Sequence, residues 1–191
     1  MLNHGTTNLL CNSSDSVLII IDIQERLSTA MPDKVLTNII DKTIVLSRAA
    51  GLLDIPVITS EQYPKGLGST VDKILPSLPA SSMRLEKTCF SCAKDTNILA
   101  QLKTLNKKQV ILCGMETHIC VTQTAIELQE MGYQVFIASD AVCSRTESNY
   151  KNALQRMQQA QCVITNTESI CFEWLADATH SHFKAISNLI K

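Results

Sequence analysis

The sequence predicts an α/β fold in which a largely parallel sheet is covered by helices on both faces. Short runs rich in Ile and Val, typical of strands buried on both sides, alternate with segments whose apolar residues recur every three or four positions. Strands separated by helices at this spacing are joined by right-handed crossovers and run parallel. The length of 191 residues and the hydrophobic fraction of 45% suit one domain with a sizeable core.

Six segments are predicted as strands: Val17 to Ile21, Ile55 to Thr59, Met83 to Glu86, Val110 to Cys113, Gln134 to Ala138 and Cys162 to Thr165. Helical spacing predicts helices over Val35 to Ala50 with Gly51 as the cap, Cys120 to Met131, Asn152 to Ala160, Ser169 to Ala178 and His182 to Ile190. The longest stretch without periodicity, Glu61 to Ser82, is predicted as a loop. Such loops in compact domains are more often functional than idle.

Composition disfavours several classes of protein. The formal net charge of -1 argues against a nucleic-acid partner, which is usually bound through excess positive charge. No segment reaches the roughly 18 consecutive apolar residues of a membrane span. Residues 1–14 lack the basic start of a secretory signal and are expected to form a loose tail before a single domain over residues 15–191. We therefore expect a cytoplasmic protein with no membrane partner.

The eight cysteines do not require a disulfide framework, because a chain of this size can stabilise itself through its core. Most of them, such as Cys113 and Cys162, lie within apolar runs, where a free cysteine behaves as a small hydrophobic residue. A reducing compartment fits this usage. Cys89 and Cys92 form the one C-x-x-C pair, and a thiol redox sensor at these positions stays open as a hypothesis.

Three polar residues follow predicted strands and are candidates for a site. Ligands of open parallel sheets bind beyond the carboxyl ends of the strands, and Asp22, Lys87 and Cys120 all fall at that edge. A carboxylate in an isoleucine-rich run is costly to bury without a partner. That partner is either Lys87 or a cluster of backbone N–H groups. A lone lysine is usually solvated, so the combination of the three residues is what predicts chemistry.

Cys120 is predicted to lie in the first turn of a helix. There the helix dipole and free backbone N–H groups favour the thiolate and can hold an oxyanion. The alternative is a thiol buried under the helix. Signatures of dinucleotide binding, nucleotide binding and serine hydrolases are absent from the sequence. His118 is expected to be an exposed or pocket-wall residue and not a catalytic base.

The ordered set of motifs resembles the isochorismatase-like cysteine hydrolase superfamily, which includes nicotinamidases and N-carbamoylsarcosine amidase. The matching segments are Ile20-Ile21-Asp22-Ile23-Gln24, Lys87-Thr88-Cys89-Phe90-Ser91, Gly114-Met115-Glu116-Thr117-His118-Ile119-Cys120-Val121, and Gly132-Tyr133-Gln134-Val135 leading to Ser139-Asp140-Ala141. Residues 60–64 and 167–169 are similar to the subgroup described as isochorismatase domain-containing proteins.

The resemblance implies a three-layer α/β/α fold with a parallel six-stranded sheet and an Asp-Lys-Cys triad. Asp22 would accept the thiol proton, Lys87 would hold the charges in place, and Cys120 would be the nucleophile. A cis peptide bond between Met115 and Glu116 is also implied. The backbone N–H groups of Glu116 and Cys120 would then form the oxyanion hole.

The sequence departs from the nicotinamidases at their metal site. Those enzymes place an Asp and two His after the second strand, whereas the corresponding positions here are Glu61, Tyr63 and Leu67 or Gly68. Without imidazoles a tightly held metal is not expected. Neither a metal nor another cofactor is therefore predicted.

The leading hypothesis is a metal-independent cysteine hydrolase that acts on a small-molecule amide or related C–N bond through a thioester. Candidates for the pocket wall are Gln24, Tyr63, Phe90, Thr117 and His118. A catalytically silent binding or scaffold protein on the same fold is the alternative. The resemblance also implies a homo-oligomer. The apolar C-terminal residues are either interface or core: Trp174, Leu175, Phe183 and Ile186.

Overall fold

A computed structural model describes residues 9–191, and within them six strands form one sheet. The strands are β1 (Ser16–Ile21), β2 (Val57–Gln62), β3 (Met83–Lys87), β4 (Gln109–Met115), β5 (Gln134–Cys143) and β6 (Val163–Thr165). Their order across the sheet is β3-β2-β1-β4-β5-β6, and every neighbouring pair is parallel. The predicted parallel six-stranded sheet is confirmed.

Helices cover both faces of this sheet and make three layers. They are α1 (Glu25–Ser28), α2 (Asp33–Leu52), α3 (Pro64–Leu67), α4 (Thr96–Leu105), α5 (Thr122–Glu130), α6 (Glu147–Gln159), α7 (Thr167–Leu175) and α8 (Phe183–Ile190). Apolar residues of α2, α7 and α8 form the core on one face. Those of α4, α5 and α6 form the core on the other. A π-helical turn over Thr117–Val121 leads into α5.

Strand alternation decides which side chains share a layer. Successive residues of a strand point to opposite faces. In β2, Val57 belongs to the core beneath α2, whereas Ile58 belongs to the core beneath α4 to α6. Ser60 and Gln62 follow Ile58 at steps of two, so they face the second layer. In β3, Met83 and Leu85 pack against that same core, which places Lys87 on the same face.

Several predicted elements need correction. Helix α2 runs through Gly51, which the sequence predicts as its cap, and ends where the Leu53 N–H bonds to the carbonyls of Ala49 and Ala50. A side chain at position 51 would approach Pro79, so the glycine serves packing. Helix α6 begins at Glu147, five residues before its predicted start at Asn152. The sequence analysis missed α4, whose buried residues are Ile98 and Leu102.

The predicted loose tail lies partly outside the described residues. Its described end is anchored, because Cys11 N–H donates to Glu173 and Asn12 N–H donates to Gln109, at 2.8 and 2.6 Å. Cys11 is buried there. Residues 11–14 are therefore part of the folded domain and not a loose tail. Among residues 9–191, no helix combines the length and the apolar character needed to cross a lipid bilayer.

Candidate active site

The structure brings Asp22, Lys87 and Cys120 together at the carboxyl ends of the strands. Lys87 Nζ lies 2.7 Å from Asp22 Oδ2, and both side chains are buried. The Cys120 thiol makes a hydrogen bond with the Asp22 carboxylate. Strands β1 and β3 are separated by β2 alone, and Cys120 follows β4 on the other side of β1. The sheet order therefore assembles three residues that are distant in sequence.

Local backbone geometry aims the Asp22 carboxylate. Asp22 comes directly after β1 in the left-handed region, at φ 50°, which aspartate adopts more readily than most non-glycine residues. Its N–H donates to the Ser60 carbonyl at 3.1 Å and its own carbonyl accepts from Gln24 N–H at 2.8 Å. The chain is thus turned out of the sheet while the aspartate stays tied to β2.

Two residues of β2 complete the surroundings of the ion pair. Ser60 Oγ donates to Asp22 Oδ1 at 2.7 Å, and Gln62 Oε1 accepts from Lys87 Nζ at 2.7 Å. The sequence analysis did not select either as a site residue. The signal was present, because Ile58, Ser60 and Gln62 alternate along one strand face. The two residues were not assigned because the sequence did not predict which face of the sheet each side chain of β2 occupies.

The Lys87 ammonium has no donor left over. A lysine carries three N–H donors. Here Nζ lies within hydrogen-bonding distance of Asp22 Oδ2 and Gln62 Oε1 at 2.7 Å each, and of the carbonyls of Phe90 and Cys89 at 3.0 and 3.3 Å. The acceptors around Lys87 therefore use all of its N–H donors within the protein.

Burial and the charges of neighbouring groups act in opposite directions on the pKa values of Asp22 and Lys87. It raises the pKa of the Asp22 carboxyl above its ordinary value, although the charge and hydrogen bond of Lys87 and the hydrogen bond of Ser60 oppose the rise. Burial also opposes the charge on Lys87, but the charge and hydrogen bond of Asp22, together with Cys92 and Cys120 when their sulfurs are ionised, outweigh it, so the pKa of the ammonium is raised. A carboxylate with a raised pKa is a better proton acceptor.

Of the two alternatives that the sequence leaves open for Cys120, a thiolate at the helix start or a buried thiol, the surroundings of the side chain favour the buried thiol. The side chain lies in the π-helical turn and is 6% exposed. Burial raises the pKa of the Cys120 thiol, and the negative charge of Asp22 raises it further, while Lys87 lowers it. Desolvation and a neighbouring carboxylate outweigh the helix terminus. Cys120 therefore rests as a thiol.

The segment before Cys120 is fixed by hydrogen bonds. The implied cis peptide bond between Met115 and Glu116 is present. The Glu116 carbonyl accepts the N–H groups of Ile119 and Val121 at 3.0 and 3.3 Å, which closes the turn around Cys120. The buried Glu116 carboxylate forms a two-point ion pair with Arg145, Nε to Oε1 at 2.9 Å and Nη2 to Oε2 at 2.6 Å. The sequence analysis missed Arg145.

The five predicted pocket residues differ in placement. Tyr63 and Phe90 are each 55% exposed and are available to a ligand. Gln24 is fully buried, and its amide nitrogen donates to the carbonyls of Gln62 and Gly68, so it braces the site and does not line a pocket. Thr117 is fully buried as well.

His118 is held away from the triad. Its Nδ1 bonds to Ser144 Oγ at 3.0 Å and its Nε2 lies 3.4 Å from the amide of Asn149. Both ring nitrogens therefore face the segment after β5. This agrees with the expectation that His118 is not the base for Cys120.

A cavity of about 370 Å³ reaches the site from the β3 side. Its lining residues are Tyr63, Pro64, Lys65, Glu86, Lys87, Thr88 and Asp95. Cys120 is not among them, and the whole residue is 6% exposed. The Lys87 side chain is fully buried, so the cavity does not expose its ammonium.

The residues in place of the nicotinamidase ligands do not suit a metal. Glu61 lies on the face of β2 opposite Ser60 and Gln62, and its Oε1 accepts from both the N–H and the hydroxyl of Thr70 at 2.8 and 2.7 Å. In the part of the chain that the structure describes, no cluster of three or more His, Cys, Asp or Glu side chains could hold a metal ion. Glu61 therefore anchors the loop after α3.

The C-x-x-C pair is split between two environments. Cys89 is half-buried, whereas Cys92 is fully buried, and its backbone N–H donates to Thr124 Oγ1 at 2.9 Å. Burial raises the pKa of the Cys92 thiol to about 11, and its surroundings include Asp22, Lys87 and Ser60. Cys92 thus belongs to the environment of the triad. All eight cysteines lie in the described chain and are free.

Comparisons with known proteins agree with this architecture. Residues 16–169 match the family model described as "Isochorismatase domain". Isochorismatase domain-containing protein 1 of Danio rerio is 39% identical over 176 residues, which cover 92% of this chain and 61% of that protein. The chain thus spans about three fifths of that relative.

Solved structures show the same fold. The structure named MAR1 ribonuclease from Caenorhabditis elegans is 34% identical with a TM-score of 0.89, over 95% of this chain and 92% of that chain. Nicotinamidase PncA from Bacillus subtilis is 18% identical with a TM-score of 0.68, over 80% and 99% of the two chains, and shares the fold. With its family model, its relatives and its sheet in agreement, the chain belongs to the isochorismatase family of hydrolases.

Proposed function

We propose that the protein is a metal-independent cysteine hydrolase that cleaves a small amide or a related C–N bond. The observation that carries this proposal is the buried cluster in which one carboxylate, Asp22, is bound by both the Lys87 ammonium and the Cys120 thiol. Moving the thiol proton to Asp22 leaves the net charge of the cluster unchanged. Lys87 therefore stabilises the negative charge whether it resides on oxygen or on sulfur.

The proposed reaction uses this shared proton twice. The Cys120 sulfur attacks the carbonyl carbon, and the carbonyl π electrons move to oxygen, where the N–H groups of Glu116 and Cys120 stabilise the oxyanion. Asp22 then returns its proton to the leaving nitrogen, the C–N bond breaks, and a thioester remains on Cys120. Water attacks the thioester while Asp22 accepts its proton. Collapse of the second oxyanion releases the carboxylic acid, and the thiolate takes back the proton.

The test is trapping of the acyl-enzyme. Purified protein is incubated with a panel of small amides and ureido compounds, amine release is followed, and acid-quenched samples are analysed by mass spectrometry for an adduct on Cys120. Cys120→Ala should abolish both signals. Cys162→Ala, which removes a buried thiol before β6, should abolish neither. Normal turnover by Cys120→Ala would contradict the mechanism.

A scaffold protein without turnover is the alternative on the same fold. The two hypotheses differ in the reactivity of Cys120 towards iodoacetamide. An active triad requires that Asp22 accept the thiol proton, so Asp22→Asn should slow alkylation of Cys120 about tenfold or more relative to the other cysteines. Alkylation that is unaffected by this substitution, together with no turnover of any compound, would favour the scaffold.

RNA is a second substrate to assay, because the Caenorhabditis elegans relative is named a ribonuclease. The chain offers little to attract a polyanion, since its formal net charge is -1 and the site's one ammonium is saturated with acceptors. We therefore propose a small-molecule substrate. RNA cleavage that depends on Cys120 would overturn this preference.

We further propose a cytoplasmic homo-oligomer. Eight free cysteines suit a reducing compartment. Several large apolar side chains of the described chain remain exposed in the single subunit, including Tyr63, Phe90, Met131 and Phe172. Light scattering on the purified protein measures the oligomeric state, and a monomer at micromolar concentration would contradict this part of the proposal.

A further inference from the structure

Gln62 is hydrogen-bonded to Lys87 as closely as Asp22 is. Its Oε1 accepts a 2.7 Å hydrogen bond from Lys87 Nζ, equal in length to the bond between Lys87 and Asp22. Its Nε2 donates to the Thr88 carbonyl at 2.7 Å. Because an ammonium only donates and a carbonyl only accepts, both neighbours require the same orientation of the amide.

Strand pairing and two hydrogen bonds with Gln24 together fix the position of the Gln62 backbone. Gln62 is the last residue of β2 and stands opposite Lys87 in the β2–β3 register. Its backbone N–H donates to Gln24 Oε1 at 2.7 Å, and its carbonyl accepts from Gln24 Nε2 at 3.0 Å. The fully buried Gln24 thus closes a ring of two hydrogen bonds with the backbone of Gln62.

A neutral acceptor at this position has a chemical consequence. Gln62 stabilises the ammonium without adding a negative charge, so the cluster keeps one carboxylate, one ammonium and one transferable proton. A second carboxylate would compete with Asp22 for Lys87 and would repel the Cys120 thiolate.

Resting on the proposed function, we infer that Gln62 is a positioning residue of the triad. It holds one N–H of Lys87, keeps the ammonium directed at Asp22, and by its neutrality preserves the charge balance on which ionisation of Cys120 depends.

Other ionisable groups near Lys87 are accounted for. Asp22, Cys92 and Cys120 act on its charge directly. Lys65, Glu86 and Asp95 line the cavity that reaches it. The neighbouring Glu61 points to the opposite face of β2, where it binds Thr70. The charge nearest to Gln62 is that of Lys87 itself.

The test is the pH dependence of Cys120 alkylation in Gln62→Glu, a nearly isosteric change. When protonated, the new carboxyl can accept from Lys87 and donate to the Thr88 carbonyl as the amide does. At pH values low enough to protonate this carboxyl, we therefore expect wild-type rates with iodoacetamide. When ionised, it adds the second negative charge, and the rate should fall at least tenfold below wild type by pH 8.

Two variants serve as controls. Gln158→Glu makes the same charge change at an exposed position of α6 and should match wild type at every pH. Gln62→Met removes the acceptor without adding charge, so its rate relative to wild type should differ but stay constant with pH. A constant ratio for Gln62→Glu, or a pH-dependent ratio for Gln62→Met, would overturn the inference.

A second measurement covers the case in which Gln62→Glu does not fold. ¹⁵N NMR of the Lys87 ammonium should show slowly exchanging protons in the wild type and faster exchange in Gln62→Met. Identical exchange in both proteins would refute the inference. None of these readouts needs turnover, so a protein that hydrolyses no compound would contradict the proposed function while leaving the role of Gln62 separately testable.

Discussion

At the scale of single residues, the candidate site is built from a few buried polar groups that satisfy one another. Asp22 accepts from Lys87, Ser60 and Cys120, and Lys87 donates to Asp22, Gln62 and backbone carbonyls. Burial of a carboxylate without such partners would be strongly unfavourable. Completeness of the network is what permits an ion pair inside an apolar layer.

Ser60→Ala tests this network at one atom. The substitution removes the hydroxyl that donates to Asp22 Oδ1, a bond that lowers the pKa of Asp22. We expect the free energy of unfolding to fall by about 1–3 kcal/mol. Without this bond the pKa of Asp22 rises further, so Asp22 becomes protonated at a higher pH. The acid limb of the kcat/KM profile should therefore move to higher pH.

Thr59→Val is the matched control for Ser60→Ala. Thr59 precedes Ser60 on β2 and points to the opposite face, and its buried hydroxyl has no hydrogen-bond partner. Its removal should leave both urea unfolding and the pH profile unchanged or slightly improve stability. If both substitutions changed stability and the pH profile equally, the effects would come from altered packing of the strand and not from loss of the bond to Asp22.

At the scale of elements, the segment that carries Cys120 is tied to the segment after β5. The π-helical turn Thr117–Val121 carries Cys120, and the ion pair between Glu116 and Arg145 joins its start to the chain beyond Cys143. π-Helical turns recur at functional sites, where they change the direction of side chains. Here Glu116, which precedes the turn, is bound by Arg145, whose side chain is 53% exposed.

Arg145→Ala should destabilise the fold in a pH-dependent way. The hydrogen bonds of Arg145 hold the pKa of the Glu116 carboxyl below its ordinary value of 4.5. A lowered pKa in the folded state means that the stabilisation is fully present above pH 4.5 and is lost as pH falls through the folded value. We expect a loss of about 1–3 kcal/mol at pH 7. At pH values where Glu116 is protonated in both states, the loss should largely vanish.

The exposed pair of Lys151 and Glu147 on α6 is the control for Arg145. Surface pairs of this kind contribute little, so Lys151→Ala should leave stability almost unchanged at either pH. Urea unfolding of the three proteins at neutral and acidic pH makes the comparison. A loss in Arg145→Ala that persists undiminished in acid would assign its effect to packing alone.

At the scale of the whole molecule, the C-terminal helices complete one layer of the domain. Trp174, Leu175 and Ile186 are buried in the core beneath α2, and Trp174 Nε1 donates to Ser16 Oγ of β1 at 3.0 Å. Phe183 is half-buried at the edge of the same cluster. The question left open by the sequence, core or interface, is thus resolved in favour of the core for the three buried residues.

Ile186→Ala tests whether α8 is integral to the fold. Removing a fully buried isoleucine leaves a cavity, so we expect the free energy of unfolding to fall by about 2–5 kcal/mol. Met131→Ala, at a side chain that is 50% exposed, should stay within about 0.5 kcal/mol of wild type. Unchanged stability with dissociation of an oligomer in Ile186→Ala would reassign α8 to an interface.

The sequence predicts strands well because apolar runs are local signals. All six predicted strands overlap observed ones, although β2 starts two residues later than predicted, after Pro56, and extends to Gln62. Helix α4 was missed, since only Ile98 and Leu102 of its residues are buried and the apolar stripe is narrow. The prediction of Gly51 as a helix cap was wrong because this position packs closely against Pro79, which lies 28 positions further along the chain.

The sequence by itself determined the order of the six strands along the chain, and with it the edge of the sheet at which Asp22, Lys87 and Cys120 lie. Only the tertiary structure decided how those groups are protonated and which neighbours they have. Alternation places Ser60 and Gln62 beside the triad and Glu61 on the opposite face, and burial keeps Cys120 a thiol. The physical reason is that periodicity is a property of neighbouring residues, whereas desolvation and hydrogen-bond saturation depend on segments that meet through the fold.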